Sequence, residues 1–126
     1  MDLKEYFEEN KGTSVLATAD SEGKVDNAIY SRPHVINDKT VTLIMKDKLS
    51  YANLQSNPHA CLLFIEKSEG YKGKRFYLTK ICQEDDQEKI NSLRRHKHSN
   101  LEAENAKRFL VHFRVDNVRP LVGDMQ

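Results

Sequence analysis

The stretch from Met45 to Asn53 combines two residue types that bind phosphate groups. Lys48 supplies a cation and Ser50 a hydroxyl, and both stand where a charged corner leads into a short helical segment ending at Gln55. The free N–H groups and the dipole of a helix N-terminus attract anions. Ser50 is also a favourable N-cap residue, so a plain helix start beside solvated lysines explains the same pattern. Both interpretations predict a helix that starts near Ser50, and in the second Ser50 is its cap.

A second stretch suits a flat aromatic ligand with hydrogen-bonding edges. It places two apolar residues beside two hydroxyl groups and a cation, in the order Ala28, Ile29, Tyr30, Ser31 and Arg32. Ligand pockets are mostly apolar and carry a few polar groups that orient the ligand. An ordinary barrel strand is the alternative explanation of these residues.

Neither metal binding nor a disulfide framework is indicated. The five histidines are dispersed or stand in the basic run Arg94 to His98, which has no nearby carboxylate or cysteine pair. We interpret that run as a solvated helix end, although it could attract a nucleotide or an acidic partner. Cys61 and Cys82 are predicted to be reduced, buried thiols, which lie close together if the loop around Tyr71 closes a symmetric hairpin.

The elements that must position these residues are mainly strands. Asp2 with Glu5 predicts a capped helix over residues 2–10, and Asp20 to Gly23 has the chemistry of a hairpin turn. Short apolar or alternating runs predict about six strands, over residues 14–19, 24–36, 41–46, 60–66, 76–81 and 109–115. Further short helices are predicted over 50–55 and 85–96, and Pro33 marks an edge or a bend. The predicted elements do not follow one another as βαβ units, so the expected fold is a six-stranded antiparallel Greek-key barrel with short helices.

Length and charge limit the classes of function. The chain has 126 residues, which suit one domain spanning residues 1–126, and 20 Lys and Arg residues against 19 Asp and Glu residues. A net charge of +1 argues against binding to nucleic acid or to anionic lipid through a broad basic surface. The apolar runs are too short for a membrane span and no signal-peptide pattern is present, so we expect a cytoplasmic protein. Any anion must be bound locally.

The order of these features resembles the pyridoxamine 5′-phosphate oxidase-like family of FMN-binding split barrels. A strand and hairpin over 12–25 are followed by a strand over 27–35, and then by a corner, a helix, an Asn57-Pro58 stop and a strand over 46–64. The resemblance covers residues 10–82, and the final strand is compatible with it. It implies a split barrel that binds FMN.

The resemblance also implies roles for particular residues. In relatives, basic and hydroxyl side chains at the helix start hold the FMN phosphate, and the matching positions here are Lys48, Leu49 and Ser50. The flavin ring lies against the strand that matches Ala28, Ile29, Tyr30 and Ser31, and against the end of the next strand at Ile44, Met45 and Lys46. Lys46 or Arg32 is the expected cation beside the pyrimidine edge of the ring.

The implied assembly is a homodimer with FMN at the subunit interface. Relatives build the cofactor site between two subunits, and the strands that contain Val35 or Val111 are expected to supply apolar interface. The implied activity is that of an oxidoreductase or electron-transfer protein with an unknown substrate. Pyridoxamine phosphate oxidation is not implied, because Ser50 replaces a lysine that is common in relatives and the arginine-bearing substrate segment has no clear counterpart.

Two alternatives of a different class stay open. One is a split-barrel module that binds a deazaflavin or haem without turnover. The other is a small β-barrel that stacks single-stranded nucleic acid on Tyr30, Phe76 and Tyr77, against which the balanced charge counts.

Overall fold

The computed structural model describes residues 1–94 and 106–123, which contain seven strands and three short helices. The strands are β1 (Gly12–Ala19), β2 (Val25–Tyr30), β3 (His34–Asn37), β4 (Thr40–Lys46), β5 (His59–Glu66), β6 (Gly73–Glu84) and β7 (Arg108–Pro120). The helices are α1 (Leu3–Glu9), α2 (Leu49–Ser56) and α3 (Gln87–Leu93), and no helix in the described ranges is long and apolar enough to cross a membrane. The mainly β class is confirmed, whereas the predicted count of six strands is wrong.

The seven strands form one antiparallel sheet in the order β2-β1-β5-β6-β7-β4-β3. The strands β2 and β3 stand at its two ends and do not pair with each other in the described ranges, so the sheet is not closed. Helix α2 packs against β1, β2 and β4. It therefore connects the two end regions of the sheet, as expected for a split barrel.

The additional strand arises at Pro33. The stretch 24–36, predicted to be one strand, forms β2 and β3 with a bend over residues 31–33. Proline has no N–H group and cannot continue a hydrogen-bonded ladder. The neighbouring Arg32 donates from Nη1 to the Phe7 carbonyl oxygen at 2.6 Å, which holds the bend against α1. As a result β2 pairs with β1, while β3 pairs with β4 at the opposite end of the sheet.

The core is formed by the sheet together with α1 and α2. Leu3 and Phe7 are the buried residues of α1, and Phe7 packs with Phe64 of β5 and Phe76 of β6 at ring-centroid distances of 5.1 and 5.2 Å. All four side chains are at most 4% exposed. Burying large apolar side chains of this kind is the dominant stabilising contribution in a small domain.

Three local sequence signals are confirmed. The Asp2 side chain caps α1, with its Oδ1 accepting from the Glu5 N–H at 3.0 Å. Asp20 Oδ1 closes the first hairpin by accepting from two backbone N–H groups at 2.9 and 3.0 Å. Asn57 ends α2, because its N–H donates to the Asn53 carbonyl oxygen at 2.9 Å and a proline follows.

The two cysteines differ from the prediction. Cys61 is partly buried and burial raises its pKa, which keeps it a thiol, but Cys82 is exposed and not the predicted buried residue. They lie on the neighbouring strands β5 and β6, yet Cys61 is opposite Tyr77, five residues before Cys82. Five residues of strand span roughly 16 Å. The two thiols are therefore not close together.

Candidate functional site

The start of α2 is not capped by a side chain. Its N-cap is Lys48, which has extended backbone and makes no capping hydrogen bond. The first helical hydrogen bond runs from the Ala52 N–H to the Lys48 carbonyl oxygen at 3.0 Å, so the N–H groups of residues 49–51 have no acceptor within the helix. The prediction that Ser50 caps the helix is wrong, because Lys48 occupies the N-cap position and Ser50 lies within the helix as a buried residue.

Two buried side chains fix α2 against the sheet. Asn53 donates from Nδ2 to Thr18 Oγ1 of β1 at 3.0 Å, and both groups are buried. The Tyr51 ring stacks on Phe109 of β7 at a centroid distance of 4.2 Å and an interplanar angle of 9°. The first turn of α2 therefore has a defined position between two parts of the sheet.

A cavity of about 600 Å³ lies beside this first turn, between β2 and β4. The volume falls within the usual range for small-molecule sites. The predicted site residues that line it are Ala28, Ile29, Tyr30, Ser31, Arg32, Ile44, Lys46, Lys48, Leu49 and Ser50. The folded chain thus brings together residues from two strands that do not pair with each other.

Met45 is the predicted site residue that does not line the cavity. Its side chain is 0% exposed and belongs to the core, whereas its neighbours Ile44 and Lys46 face the cavity. This difference follows from the alternation of side chains along a strand. The Met45 side chain therefore does not contact the cavity.

Tyr30 places a hydroxyl group in the cavity wall. Burial raises the pKa of its phenol, the hydrogen bond with Ser50 opposes this shift, and the negative charge of Asp26 adds to it. The phenol is therefore neutral around pH 7 and can donate or accept a hydrogen bond. Ser50, which also lines the cavity, is 3% exposed.

The charge of the cavity wall is strongly unbalanced. Five of the described lining residues are basic, namely Arg32, Lys46, Lys48, Arg94 and Arg108, whereas Asp26 is the acidic residue among them. The chain as a whole carries a net charge of only +1. Cations are therefore concentrated at this cavity, which favours an anionic ligand.

Sequence reasoning missed five lining residues, which are Asp26, His34, Leu43, Arg94 and Arg108. Arg108 reaches the cavity because it lies opposite Lys46 in the pairing of β7 with β4, a register that no local pattern shows. The prediction that Arg94 belongs to a solvated helix end is wrong, because Arg94 lines the cavity. The other residues of that run, 95–98, lie outside the described ranges.

The residues present fit the two parts of FMN. The free N–H groups at the start of α2, together with Lys48, suit a phosphate group. The apolar side chains of Ala28 and Ile29, with the Tyr30 ring, suit a flat aromatic ring system. Both sets line one cavity, so a ligand with both parts can contact them together.

The described residues give less support to metal binding and to the stacking of nucleic acid. Within residues 1–94 and 106–123, no three His, Cys, Asp or Glu side chains are placed to hold a metal ion. The aromatic residues considered for nucleic-acid stacking do not share a surface: Tyr30 lines the cavity, Phe76 is 1% exposed in the core, and Tyr77 contacts Arg119 with 5.5 Å between the guanidinium carbon and the ring centroid.

Comparisons with known proteins rest on the fold. No profile of a protein family matches the sequence, and a search of curated proteins found no match. Among solved structures, an FMN-binding protein from Syntrophomonas wolfei superposes with a TM-score of 0.71 at 19% identity, covering 92% of this chain and 81% of that one. A candidate pyridoxamine 5′-phosphate oxidase from Lactobacillus delbrueckii gives 0.67 at 17% identity, with 90% and 87% covered.

A third structure, an F420 reductase, superposes with a TM-score of 0.63 at 17% identity, covering 87% of this chain and 90% of that one. The matched lengths include nearly all of each chain, so the similarity concerns the whole sheet and not a local motif. At these identities it establishes the architecture. The expectation drawn from the order of sequence features is confirmed at that level: this chain has the split-barrel fold of the pyridoxamine 5′-phosphate oxidase-like proteins.

Proposed function

We propose that this protein is an FMN-binding flavoprotein of the pyridoxamine 5′-phosphate oxidase-like family, acting as an oxidoreductase or electron-transfer protein. The observation that carries the proposal is the cavity beside α2, where an uncapped helix start, several cations and an apolar wall lie together. The FMN-binding protein and the candidate oxidase with the same fold support a cofactor of this kind. The substrate is not specified by these features.

The phosphate of FMN would be bound by Lys48 and by the free N–H groups of the first turn of α2, and the Ser50 hydroxyl would turn from Tyr30 to donate to it. The ring would lie against Ala28 to Ser31 of the β2 wall and against Ile44. A cation such as Lys46 or Arg32 beside the pyrimidine edge would favour negative charge there. The bound flavin would supply hydride or electron transfer, so the chain needs no side-chain nucleophile.

The proposal includes a homodimer with FMN at the subunit interface. Two apolar side chains that line the cavity are exposed in the single chain, since Ile29 is 71% and Leu49 58% exposed. A second copy placed over them would cover apolar surface and exclude water from the cavity. The interface expected at Val111 is not available to that side chain, which is 0% exposed.

The first experiment is a visible absorption spectrum of the purified protein, recorded as isolated and again after incubation with FMN and removal of the excess. We expect a retained flavin spectrum. The Lys48→Glu variant should bind FMN at least about tenfold more weakly, since a charge-assisted phosphate contact is replaced by repulsion. The matched control is Lys72→Glu, which makes the same charge change in the exposed loop between β5 and β6.

Two results would contradict the proposal. Absence of a flavin spectrum at both stages would remove the cofactor and, with it, the oxidoreductase function. Equal FMN affinity in Lys48→Glu and the unchanged protein would place the phosphate away from α2. Analytical ultracentrifugation of the FMN-loaded protein tests the homodimer, and a monomer at micromolar concentration would overturn that part.

A non-catalytic module for another ligand is the second candidate. The F420 reductase of the same fold favours a deazaflavin, which also has a flat ring system and phosphate. If the ligand is haem, its iron would be bound by His34, which is the histidine among the described lining residues. Colourless protein that ignores FMN but gains absorption with coenzyme F420 or haem would favour this candidate.

A further inference from the structure

The strands β1 and β5 carry apolar side chains on both faces of the sheet. Leu16 and Leu62 belong to the core at 0% and 1% exposure, and the alternation of side chains turns Val15 and Leu63 to the other face. Strand β5 has six apolar residues in succession over 60–65. An antiparallel strand with one face in water usually alternates apolar with polar residues, whereas a continuous apolar run is typical of a strand that is covered on both faces.

The register of the sheet places these outward side chains next to one another. Val15 of β1 is directly opposite Ile29 of β2 and Leu63 of β5. Ala17, the next outward residue of β1, is directly opposite Cys61 of β5. These five positions, together with Tyr77 of β6 opposite Cys61, are called the outer face. Its side chains are partly or largely exposed to solvent in the single chain.

The described helices pack elsewhere. Phe7 of α1 contacts Phe64 of β5, and Asn53 of α2 donates a hydrogen bond to Thr18 of β1. Phe64 and Thr18 are buried and alternate with the outward residues, so these two helices lie on the core side of the sheet. Helix α3 packs against β7. None of the helices within residues 1–94 and 106–123 therefore covers the outer face.

The size and the charge of the outer face suit contact with a second copy of this chain. Strands β2, β1, β5 and β6 are neighbours in the sheet and together are roughly 14 Å wide, which is wide for an apolar surface left in water. None of its six residues carries a full charge at neutral pH. In a dimer with twofold symmetry the same surface of both copies meets, so charges near the symmetry axis would face like charges. An uncharged apolar face avoids that repulsion.

The outer face is also continuous with the cavity. Ile29 belongs to the outer face through its pairing with Val15, and it lines the cavity as well. A copy that covers Val15 and Leu63 therefore extends to the cavity wall at Ile29. The contact would bury apolar surface and exclude water from that side of the cavity.

We propose that the outer face is the surface through which two copies of this chain form a homodimer. The inference rests on the homodimer of the proposed function and adds which surface forms it. It differs from the interface expected from the sequence, since neither Val35 of β3 nor Val111 of β7 belongs to the outer face.

The first test is analytical ultracentrifugation of the full chain without added FMN. The unchanged protein should sediment as a dimer at micromolar concentration. Leu63→Glu should weaken dimerisation at least about a hundredfold, because each dimer would then bury two carboxylates in an apolar contact. Ala17→Glu places the same charge on the neighbouring strand and should act similarly, which provides a second variant if the first does not fold. Circular dichroism of each variant checks that it is folded.

Ile36→Glu is the matched control. It makes the same change from an apolar to an acidic side chain at a strand position that is 57% exposed, on β3 and outside the outer face. This variant should remain a dimer with the affinity of the unchanged protein.

The two cysteines supply an independent readout. Cys61 belongs to the outer face, whereas Cys82 is exposed on β6 outside it. In the dimer a thiol reagent should label Cys82 quickly and Cys61 at least about tenfold more slowly. Leu63→Glu should raise the labelling rate of Cys61 by a similar factor and leave that of Cys82 unchanged.

Four results would overturn the proposal. They are a monomeric unchanged protein, a dimer that persists in folded Leu63→Glu and Ala17→Glu, a loss of dimer in Ile36→Glu as large as theirs, and a labelling rate of Cys61 that does not depend on dimerisation. Failure of the proposed function gives a different result. A protein that binds no FMN but forms a dimer sensitive to Leu63→Glu and not to Ile36→Glu supports the outer face without the flavin, whereas a monomer that binds FMN overturns the outer face alone.

Discussion

The three described helices begin in two different ways. Helices α1 and α3 are capped by Asp2 and Asp86, whose side chains accept from backbone N–H groups at 3.0 and 3.2 Å. Helix α2 begins at Lys48, with no capping side chain. An aspartate satisfies the helix start from within the chain and repels an incoming anion, whereas a lysine leaves the N–H groups free and attracts one. The comparison separates helix starts that stabilise the fold from one suited to bind a ligand.

Replacing Lys48 with aspartate should give α2 the kind of start that α1 and α3 have. The new side chain can accept from a first-turn N–H group, so the free energy of unfolding should rise by about 1 kcal/mol. The same change puts a negative charge beside the FMN phosphate, and the affinity for FMN should fall at least about a hundredfold. Urea unfolding of the FMN-free protein and fluorescence titration with FMN measure the two effects separately.

The variant Lys48→Asn is the control, because asparagine caps a helix without adding a negative charge. It should gain similar stability and retain more FMN affinity than the aspartate variant. If Lys48→Asp stabilises the protein and binds FMN as before, the start of α2 is not the phosphate site.

Asn53→Ala tests whether the position of α2 matters for its role. This change removes the hydrogen bond to Thr18 and leaves a buried hydroxyl without that partner, which should lower the free energy of unfolding by about 1 to 3 kcal/mol. FMN affinity should fall by a few fold, since the first turn loses its fixed orientation. Chemical unfolding and FMN titration measure both, and stability equal to that of the unchanged protein would contradict the role given to Asn53.

Asp2→Ala removes the cap of α1, a helix start that stabilises the fold and does not bind the ligand. It should lower the free energy of unfolding by about 1 kcal/mol, because the Glu5 N–H loses its acceptor. FMN affinity should not change, since α1 does not line the cavity. A loss of FMN affinity comparable with that of Lys48→Asp would contradict the separation between the two kinds of helix start.

The smallest predicted effect is on the pH dependence of stability, and it comes from Glu84. Its carboxylate contacts His112 Nε2 at 2.5 Å and Lys89 Nζ of α3 at 3.2 Å, and these hydrogen bonds hold its pKa below the ordinary value. A carboxyl group with a lowered folded pKa stabilises the fold above its unfolded pKa, and the contribution is lost as the pH falls through the folded pKa. Glu84→Gln should therefore reduce the loss of stability between about pH 5 and pH 3.

The measurement is the thermal unfolding midpoint across that pH range. Glu88→Gln is the control, since it removes a carboxylate from an exposed position on α3 itself. Identical pH profiles for Glu84→Gln and the unchanged protein would show that the contacts of Glu84 do not persist in solution.

Features set by neighbours in the chain could be predicted from the sequence. Asp2 and Asp20 form hydrogen bonds within four residues, and Asn57 stands directly before a proline, so their roles follow from local chemistry. The alternation of apolar and polar residues over 41–46 likewise predicts the strand β4. The same alternation turns the Met45 side chain into the core, so the prediction that Met45 lies beside the ligand is wrong.

Features set by distant partners could not be predicted in this way. Ser50 has the right chemistry for a cap, but Lys48 takes the N-cap position, and the packing of α2 against β1, β2 and β4 leaves Ser50 buried within the helix. Arg108 lines the cavity only because β7 pairs with β4, and residues 46 and 108 are 62 positions apart. Hydrophobic patterns indicate which residues form a strand but not which strand is its neighbour.

The position of β7 has a consequence for how the protein folds. It is the last strand in the described ranges, yet it joins β4 and β3 to the other four strands. Until residues 108–114 have been synthesised, β4 has no hydrogen-bonded connection to the β2 side of the sheet. Such pairing between distant segments makes folding slow. The nascent chain therefore cannot complete the cavity until β7 has left the ribosome.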